Sequence, residues 1–140
     1  LSFRGDARHA SGGRLPARSR ERDPDASEAV FEKDRSRFSH APLVVAVIGR
    51  FGPDEKIPES VRFSTASCVC FALHQAAQAL GFAGIWLTGW LAYDEQVDRW
   101  LGLAEHERVV GYIHIGTPKL EAPERERPDA RELLSEWKPA

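Results

Sequence analysis

The chain has 140 residues, 42% of them hydrophobic and 29% charged, a globular rather than disordered composition. A chain of this length buries roughly two-thirds of its unfolded surface, so it needs no metal or disulfide staple. Nineteen Lys and Arg against 21 Asp and Glu give a net charge of −2, which excludes a strongly basic nucleic-acid binder or a polybasic membrane-surface protein. Two cysteines, Cys68 and Cys70, exclude a disulfide framework. The first residue is Leu1, and no charged segment followed by an apolar stretch comes after it. No signal peptide is therefore expected, a cytoplasmic location is, and the missing Met points to a processed or truncated chain.

Residues 1–40 hold eight arginines and one lysine against seven acids, with few large apolar side chains. Arg18, Arg20 and Arg22 interleave with Glu21, Asp23 and Asp25, the pattern of a solvated face rather than a nucleic-acid site. Asp23-Pro24 reads as a helix N-cap with Pro in the first turn. That helix is predicted to run to about Phe38, with Phe31 and Phe38 on one face, and Pro42 bars its continuation. Leu43 to Ile48 is a continuous apolar run rich in β-branched residues and predicts a strand covered on both faces, central in a sheet. A loop follows from Gly49 to Pro58.

From Phe63 to Tyr93 there is no Asp, Glu, Lys or Arg. Ser64, Thr65, Ser67, His74, Gln75 and Gln78 make this stretch too polar for a membrane span. It predicts instead a helix from about Glu59 to Leu80, closed by Gly81 at the C′ position. A helix apolar nearly all round is buried in a core or in a subunit interface. Phe82 to Thr88 predicts a second buried strand, and Gly89 opens a loop. Asp94 is a plausible N-cap for a short helix ending at Leu101-Gly102, Arg108 to Ile115 a third strand, and Arg131 to Trp137 a short closing helix.

Few side chains point to chemistry. Cys68 and Cys70 are two apart on the predicted helix and so diverge, which suits small buried hydrophobes better than a metal or disulfide. His74 has no matching ligand one turn away and reads as a satisfied core or interface histidine. Ser39-His40 lacks a partnered acid, and neither nucleotide-binding glycine fingerprint is present. The segment Gly81-Phe82-Ala83-Gly84-Ile85-Trp86-Leu87-Thr88-Gly89 differs. It places a strand directly after a tight helix end and stops it at Thr-Gly, where backbone amides and a hydroxyl suit a planar, hydrogen-bonding ligand.

Several stretches, in order, resemble the FMN-dependent nitroreductase family, in particular its small bacterial NAD(P)H nitroreductases. They are Arg37-Phe38-Ser39-His40-Ala41-Pro42-Leu43-Val44-Val45, Lys56-Ile57-Pro58-Glu59, Ser64-Thr65-Ala66, Ala76-Ala77-Gln78-Ala79-Leu80-Gly81-Phe82, Gly84-Ile85-Trp86-Leu87-Thr88-Gly89, and Val110 to Pro118. Arg127-Pro128-Asp129 to Trp137 resembles the family's C-terminal arm. The family's first helix, with its Arg-Arg-Ser grip on the FMN phosphate, has no counterpart. The chain reads as starting inside the segment that follows it, so the fold is expected to be N-terminally truncated.

The resemblance implies an α+β fold, a three-layer α/β/α sandwich with a central sheet flanked by helices. Residues 1–140 would form one domain, with a charged part (1–40), a core (41–118) and an arm (119–140). It implies a homodimer with FMN at the subunit interface and ping-pong transfer of electrons from NAD(P)H through the flavin to nitro compounds, quinones or similar acceptors. By position, Trp86, Leu87 and Thr88 match residues that contact FMN. Ala76, Ala77, Gln78, Ala79, Leu80 and Gly81 match a stretch assigned to NAD(P). Arg125 and Arg127 are candidates to face the FMN phosphate. No side chain is implied as a dedicated acid or base, and no metal. The competing expectation is a non-catalytic remnant, or a flavin-binding module that does not turn over.

Overall fold

The computed structural model describes residues 2–6 (backbone only), 14–54, 56–121 and 123–139. Its centre is the pairing of β2 (Leu43–Arg50) with β4 (Glu107–Gly116), antiparallel along their whole length from Leu43↔Ile115 to Arg50↔Glu107. The register slips between Val47 and Ile48, leaving Val110 as the extra residue of a bulge. β1 (Ser2–Asp6) pairs with β2, and β3 (Ala83–Leu87) pairs with β4, giving the order β1-β2-β4-β3 with every neighbour antiparallel. The apolar run at Leu43–Ile48 is thus an interior strand, as its lack of alternation predicts.

Each face of the sheet carries its own core, so the architecture is α+β with helices on both sides. On one face Val44, Ala46, Ile48, Val109 and Tyr112 pack with Leu15, Phe38, Leu91, Ala92, Val97 and Leu101. Leu15 belongs to α1 (Leu15–Arg22), which leads through Asp23–Ser27 into α2 (Glu28–Ser36). A single 3-10 turn, Arg37–Ser39, follows. Val97 lies on the short helix α4 (Glu95–Trp100), which follows the 3-10 turn Trp90–Ala92. Tyr112 is fully enclosed and donates its hydroxyl to the carbonyl of Leu91 at 3.1 Å. On the other face Val47, Val110 and Ile113 pack with Phe51 and with Ala66 and Cys70 of α3 (Glu59–Ala79).

The N-terminal helical region differs from its prediction. Asp23 does not cap a helix; it ends α1, and α2 starts after Ser27. α1 forms although it is rich in charge because Leu15 and Ser19, four apart, both face inward and Ser19 Oγ donates to Asp34 Oδ2 at 2.6 Å. Its arginines are engaged rather than simply solvated. Arg18 bonds Asp94, Arg20 lies over the Phe31 ring at 4.2 Å, and Arg22 lies over Trp90 at 4.9 Å. Phe31 and Phe38 are both buried, as their spacing predicts.

α3 ends as expected. Gly81, at φ +83°, donates to Gln78 O and Phe82 donates to Ala77 O, a Schellman cap. Its burial is not as expected: only Ala66, Cys70 and Ala77 are enclosed, while Val61, Phe63, Phe71 and Leu80 face outward. Ser64, Thr65 and Ser67 donate their hydroxyls back to Ser60 O, Val61 O and Phe63 O, so this outer face keeps few unsatisfied donors. Cys70 is buried and desolvation pushes its thiol up to about 11, whereas Cys68 is exposed, contrary to the reading of both as buried. His74 is satisfied: its Nε2 lies 2.8 Å from Gly84 O and ties α3 to β3. No helix among the described residues is long and apolar enough to cross a membrane.

Two further expectations fail. β3 is not buried: Ile85 and Trp86 remain exposed because β3 is an edge strand with only β4 beside it. Arg131–Trp137 forms no helix, only a turn at 130–133, and Leu133, Leu134 and Trp137 are open to solvent. A helix that short is marginal without packing to support it.

Two contacts lend themselves to measurement. Asp94 caps α4 by accepting from the Gln96 and Val97 amides while it also accepts from Arg18. Burial alone would push this carboxyl up, but Arg18 and the two amides outweigh it and hold it below the ordinary carboxylate value. Asp94→Ala is expected to lower the unfolding free energy at pH 7 by about 1 kcal/mol for the cap alone. The group's folded pKa is depressed, so this contribution is present above the unfolded value and lost as pH falls through the folded one. Denaturant titrations at pH 7 and below pH 3 should show the mutant and parent converging at acid pH. Gly111 lies under the Trp86 indole, and a Cβ there would collide with Nε1. Gly111→Ala is expected to cost about 1–3 kcal/mol and to alter tryptophan fluorescence, and unchanged values of both would refute the contact.

Candidate active site

β3 and the loop after it form one wall of a cleft of about 940 Å³, near the upper end of the size that holds a drug-sized ligand, roughly 300–1,000 Å³. Trp86, Leu87 and Thr88 line it with Ala83 to Ile85 and Gly89. The facing side comes from α2 and the turn after it, through Lys33, Arg37 and His40, and from the end of β4 and beyond, through His114, Gly116, Thr117 and Lys119. The lining thus joins an apolar wall to basic side chains, and among the described residues no carboxylate is part of it. Segments 33–42, 83–89 and 114–119 meet there because β3 pairs with β4 in the register Ile85↔His114 and Leu87↔Tyr112.

The turn at Thr88–Trp90 is fixed by a buried polar cluster. Asp34 is buried and accepts from Ser19 Oγ at 2.6 Å and from Trp90 Nε1 at 3.1 Å. Its other oxygen lies 3.7 Å from Arg37 Nε. Gly89 stands at φ +61°, and the Arg37 guanidinium fills the space that a Cβ at Gly89 would need. Any other residue there would be strained in backbone and would displace Arg37. One carboxylate therefore holds both the loop that follows Thr88 and the half-buried cation beside it.

His114 sits opposite Ile85. It is buried, with 5% of its surface accessible, and its ring stacks 6.4 Å from that of Phe38. Its Nε2 is buried with no hydrogen-bond partner among the described residues. Burial pushes its pKa down, and the neighbouring His40 and Arg37 push it further the same way, which favours the neutral ring.

The two predicted residue groups separate. Trp86, Leu87 and Thr88 lie together on the cleft wall, whereas Ala76 to Gly81 form the last turn of α3 and its cap and do not line the cleft. The stretches adjoin through the amide of Phe82, which bonds Ala77 O just before β3 begins. Arg125 and Arg127 are on the exposed arm, with Arg127 3.8 Å from Glu124, and do not line the cleft. Sequence reasoning gave no role to Lys33 and Lys119, which belong to no local motif, nor to Arg37 and His114, which lie in family-like stretches but far apart in the chain.

The comparisons with known proteins bear on the family and the fold. A model described as "Nitroreductase family" matches residues 15–117. The chain is 32% identical over 97 residues to "Putative NAD(P)H nitroreductase YdjA" of Escherichia coli K12, covering 69% of this chain and 53% of that protein. It is 31% identical over 103 residues to "Putative NAD(P)H nitroreductase" of Haemophilus influenzae, covering 73% and 55%. The chain thus spans about half the length of these relatives. Among solved structures, the nitroreductase-like family protein of Bacillus cereus superposes with a TM-score of 0.70 at 19% identity, covering 93% of this chain and 65% of that one. A nitroreductase of Desulfovibrio desulfuricans, solved in complex with FMN, superposes with a TM-score of 0.59 at 22% identity, covering 74% and 62%. These two likenesses concern the fold. With well over half its length matched by the family model and two relatives above 30% identity, the chain belongs to the Nitroreductase family.

Proposed function

We propose that the chain is part of an FMN-dependent oxidoreductase that carries electrons from NAD(P)H to nitro compounds, quinones or similar acceptors by a ping-pong mechanism, working as a cytoplasmic homodimer. The observation that supports this most is the place of Trp86, Leu87 and Thr88. The three residues matched to flavin contacts line one cleft, on an unpaired sheet edge. The names of the relatives and the FMN-bound Desulfovibrio protein support the same reading.

The residues present fit the cofactor. The outer edge of β3 offers backbone groups to a flat, polar-edged ring system, Ile85 and Leu87 offer apolar surface, and the basic side chains suit an anion. FMN, when bound, supplies the relay of two electrons between NAD(P)H and the acceptor. The chain's own residues bind and orient. Asp34 fixes Arg37 and the loop after Thr88, and His114 is held beneath Ile85 by Phe38. Ala76 to Gly81 are the reading for NAD(P). A helix C-terminus carries partial negative charge, so contact there falls on an uncharged part of the dinucleotide. A second copy covers the outward face of α3, where Val61, Phe63, Phe71 and Leu80 are exposed, and Leu133, Leu134 and Trp137 of the arm are further exposed apolar surface.

Fluorescence titration of FMN into the 140-residue chain tests the site, and NAD(P)H oxidation with a nitroaromatic or quinone acceptor tests the activity. Ile85 is half exposed on the cleft wall, so Ile85→Glu is expected to fold. Its carboxylate would compete for the basic side chains and weaken FMN by at least about tenfold, or about 1.4 kcal/mol. FMN affinity unchanged by that substitution would place the flavin elsewhere.

A further inference from the structure

We propose that Arg37 and His114 form an oxyanion subsite in the cleft, taking one carboxylate or phosphate group of the molecule bound there. This rests on the cleft being a ligand site, not on which cofactor fills it.

Two independent observations meet at this point. The first is the orphaned Nε2 of His114. Leaving a polar atom buried without a partner costs about 1–3 kcal/mol, and such atoms in native folds call for an explanation. His114 is on the cleft lining, and its ring is set by stacking on Phe38 and by the β3–β4 register, with Nε2 just beneath the lining surface. The second is the charge of the lining. Among the described residues, Arg37, Lys33, Lys119 and His40 are its titratable side chains besides His114, and no acid is among them. The carboxylate behind Arg37, Asp34, already accepts from Ser19 and Trp90 and meets Arg37 only through Nε at 3.7 Å. Among the described residues the terminal guanidinium nitrogens of Arg37 have no carboxylate partner, and Gly89 lets them approach the loop that lines the cleft.

The surrounding charge decides what His114 binds. A neutral imidazole either donates or accepts at Nε2. Beside Arg37 a ligand atom with negative charge is favoured, and the tautomer that donates at Nε2 is the one that suits it. Arg37 then supplies the charge and His114 the direction. An anion seated there stabilises the imidazolium and moves the His114 midpoint upward, reversing part of the depression caused by Arg37 and His40.

The test uses the 140-residue chain with inorganic phosphate and, separately, benzoate, at constant ionic strength, reading the histidine ring signals by NMR. The His114 signals, identified by their loss in His114→Gln, should shift saturably, and the midpoint should rise. His106, which lies beside Gly52 away from the cleft, should not move. Arg37→Gln should weaken phosphate binding at least tenfold. His114→Gln, followed by calorimetry, should do the same, so the result does not hang on one variant's folding. Unsaturable shifts, equal shifts at His106, or unchanged phosphate affinity in both variants would overturn the subsite.

Two arms separate the sources of the anion. If Arg37→Gln weakens FMN but not riboflavin, the group is the flavin phosphate. If it leaves both unchanged yet raises KM for 4-nitrobenzoate and not for 4-nitrobenzyl alcohol, the group is a carboxylate on the acceptor. No effect in either arm would contradict the proposal. The phosphate titration reads the subsite even in a chain that holds no flavin, so its failure and that of the proposed activity are distinguishable.

Discussion

Among the described residues β3 reaches the rest of the sheet through β4 alone, and the candidate site depends on that one pairing. It brings Ile85 opposite His114 and leaves the other edge of the strand open. Five residues of ladder are a small hold for an edge strand, and two contacts reinforce it from the α3 side. His74 bonds the carbonyl of Gly84, and Trp86 folds its indole over Gly111, where no side chain obstructs it. An exposed, apolar edge strand is ordinarily an aggregation hazard. Here the same openness makes a cleft, and the cost of leaving it open is consistent with an edge that is covered when the site is occupied.

The two sides of the sheet divide the work. The face covered by α1, α2 and α4 holds the larger core and, at its margin, the buried Asp34 that fixes Arg37 and the loop after Thr88. A buried carboxylate is tolerated only when its oxygens are satisfied, and this one is shared by a hydroxyl, an indole and a guanidinium. The face covered by α3 is thinner. That helix spends few side chains on the sheet and presents large apolar ones outward, which is the basis for a second copy in the proposed assembly.

Much of this was legible in the sequence, for identifiable reasons. Leu43–Ile48 announces an interior strand because β-branched residues run without alternation, and Gly81 and Asp94 mark helix ends that the structure reproduces. The segment Gly81–Gly89 stands out because its strand stops at Thr-Gly, the family resemblance picks Trp86, Leu87 and Thr88 within it, and these three line the cleft. Other elements were hidden. The short apolar run of β3 looks the same whether a strand is central or at an edge, and Asp23-Pro24 imitates a helix start although Ser19 and Leu15 draw the preceding residues into α1. Arg131–Trp137 carries a helical pattern with nothing to pack against. Arg37 and His114 lie in family-like stretches, but nothing links them as a pair because 77 positions separate them in the sequence and the fold brings both to the cleft.

In the proposed function the edge of β3, and not the end of α3, receives the flavin. Amide hydrogen exchange of the 140-residue chain with and without saturating FMN reads this directly. The account predicts added protection at Trp86–Gly89 and at the His114 end of β4, with Ala76–Gly81 unchanged until a dinucleotide is added. Protection confined to Ala76–Gly81, or none at Trp86–Gly89 when FMN is bound, would contradict it.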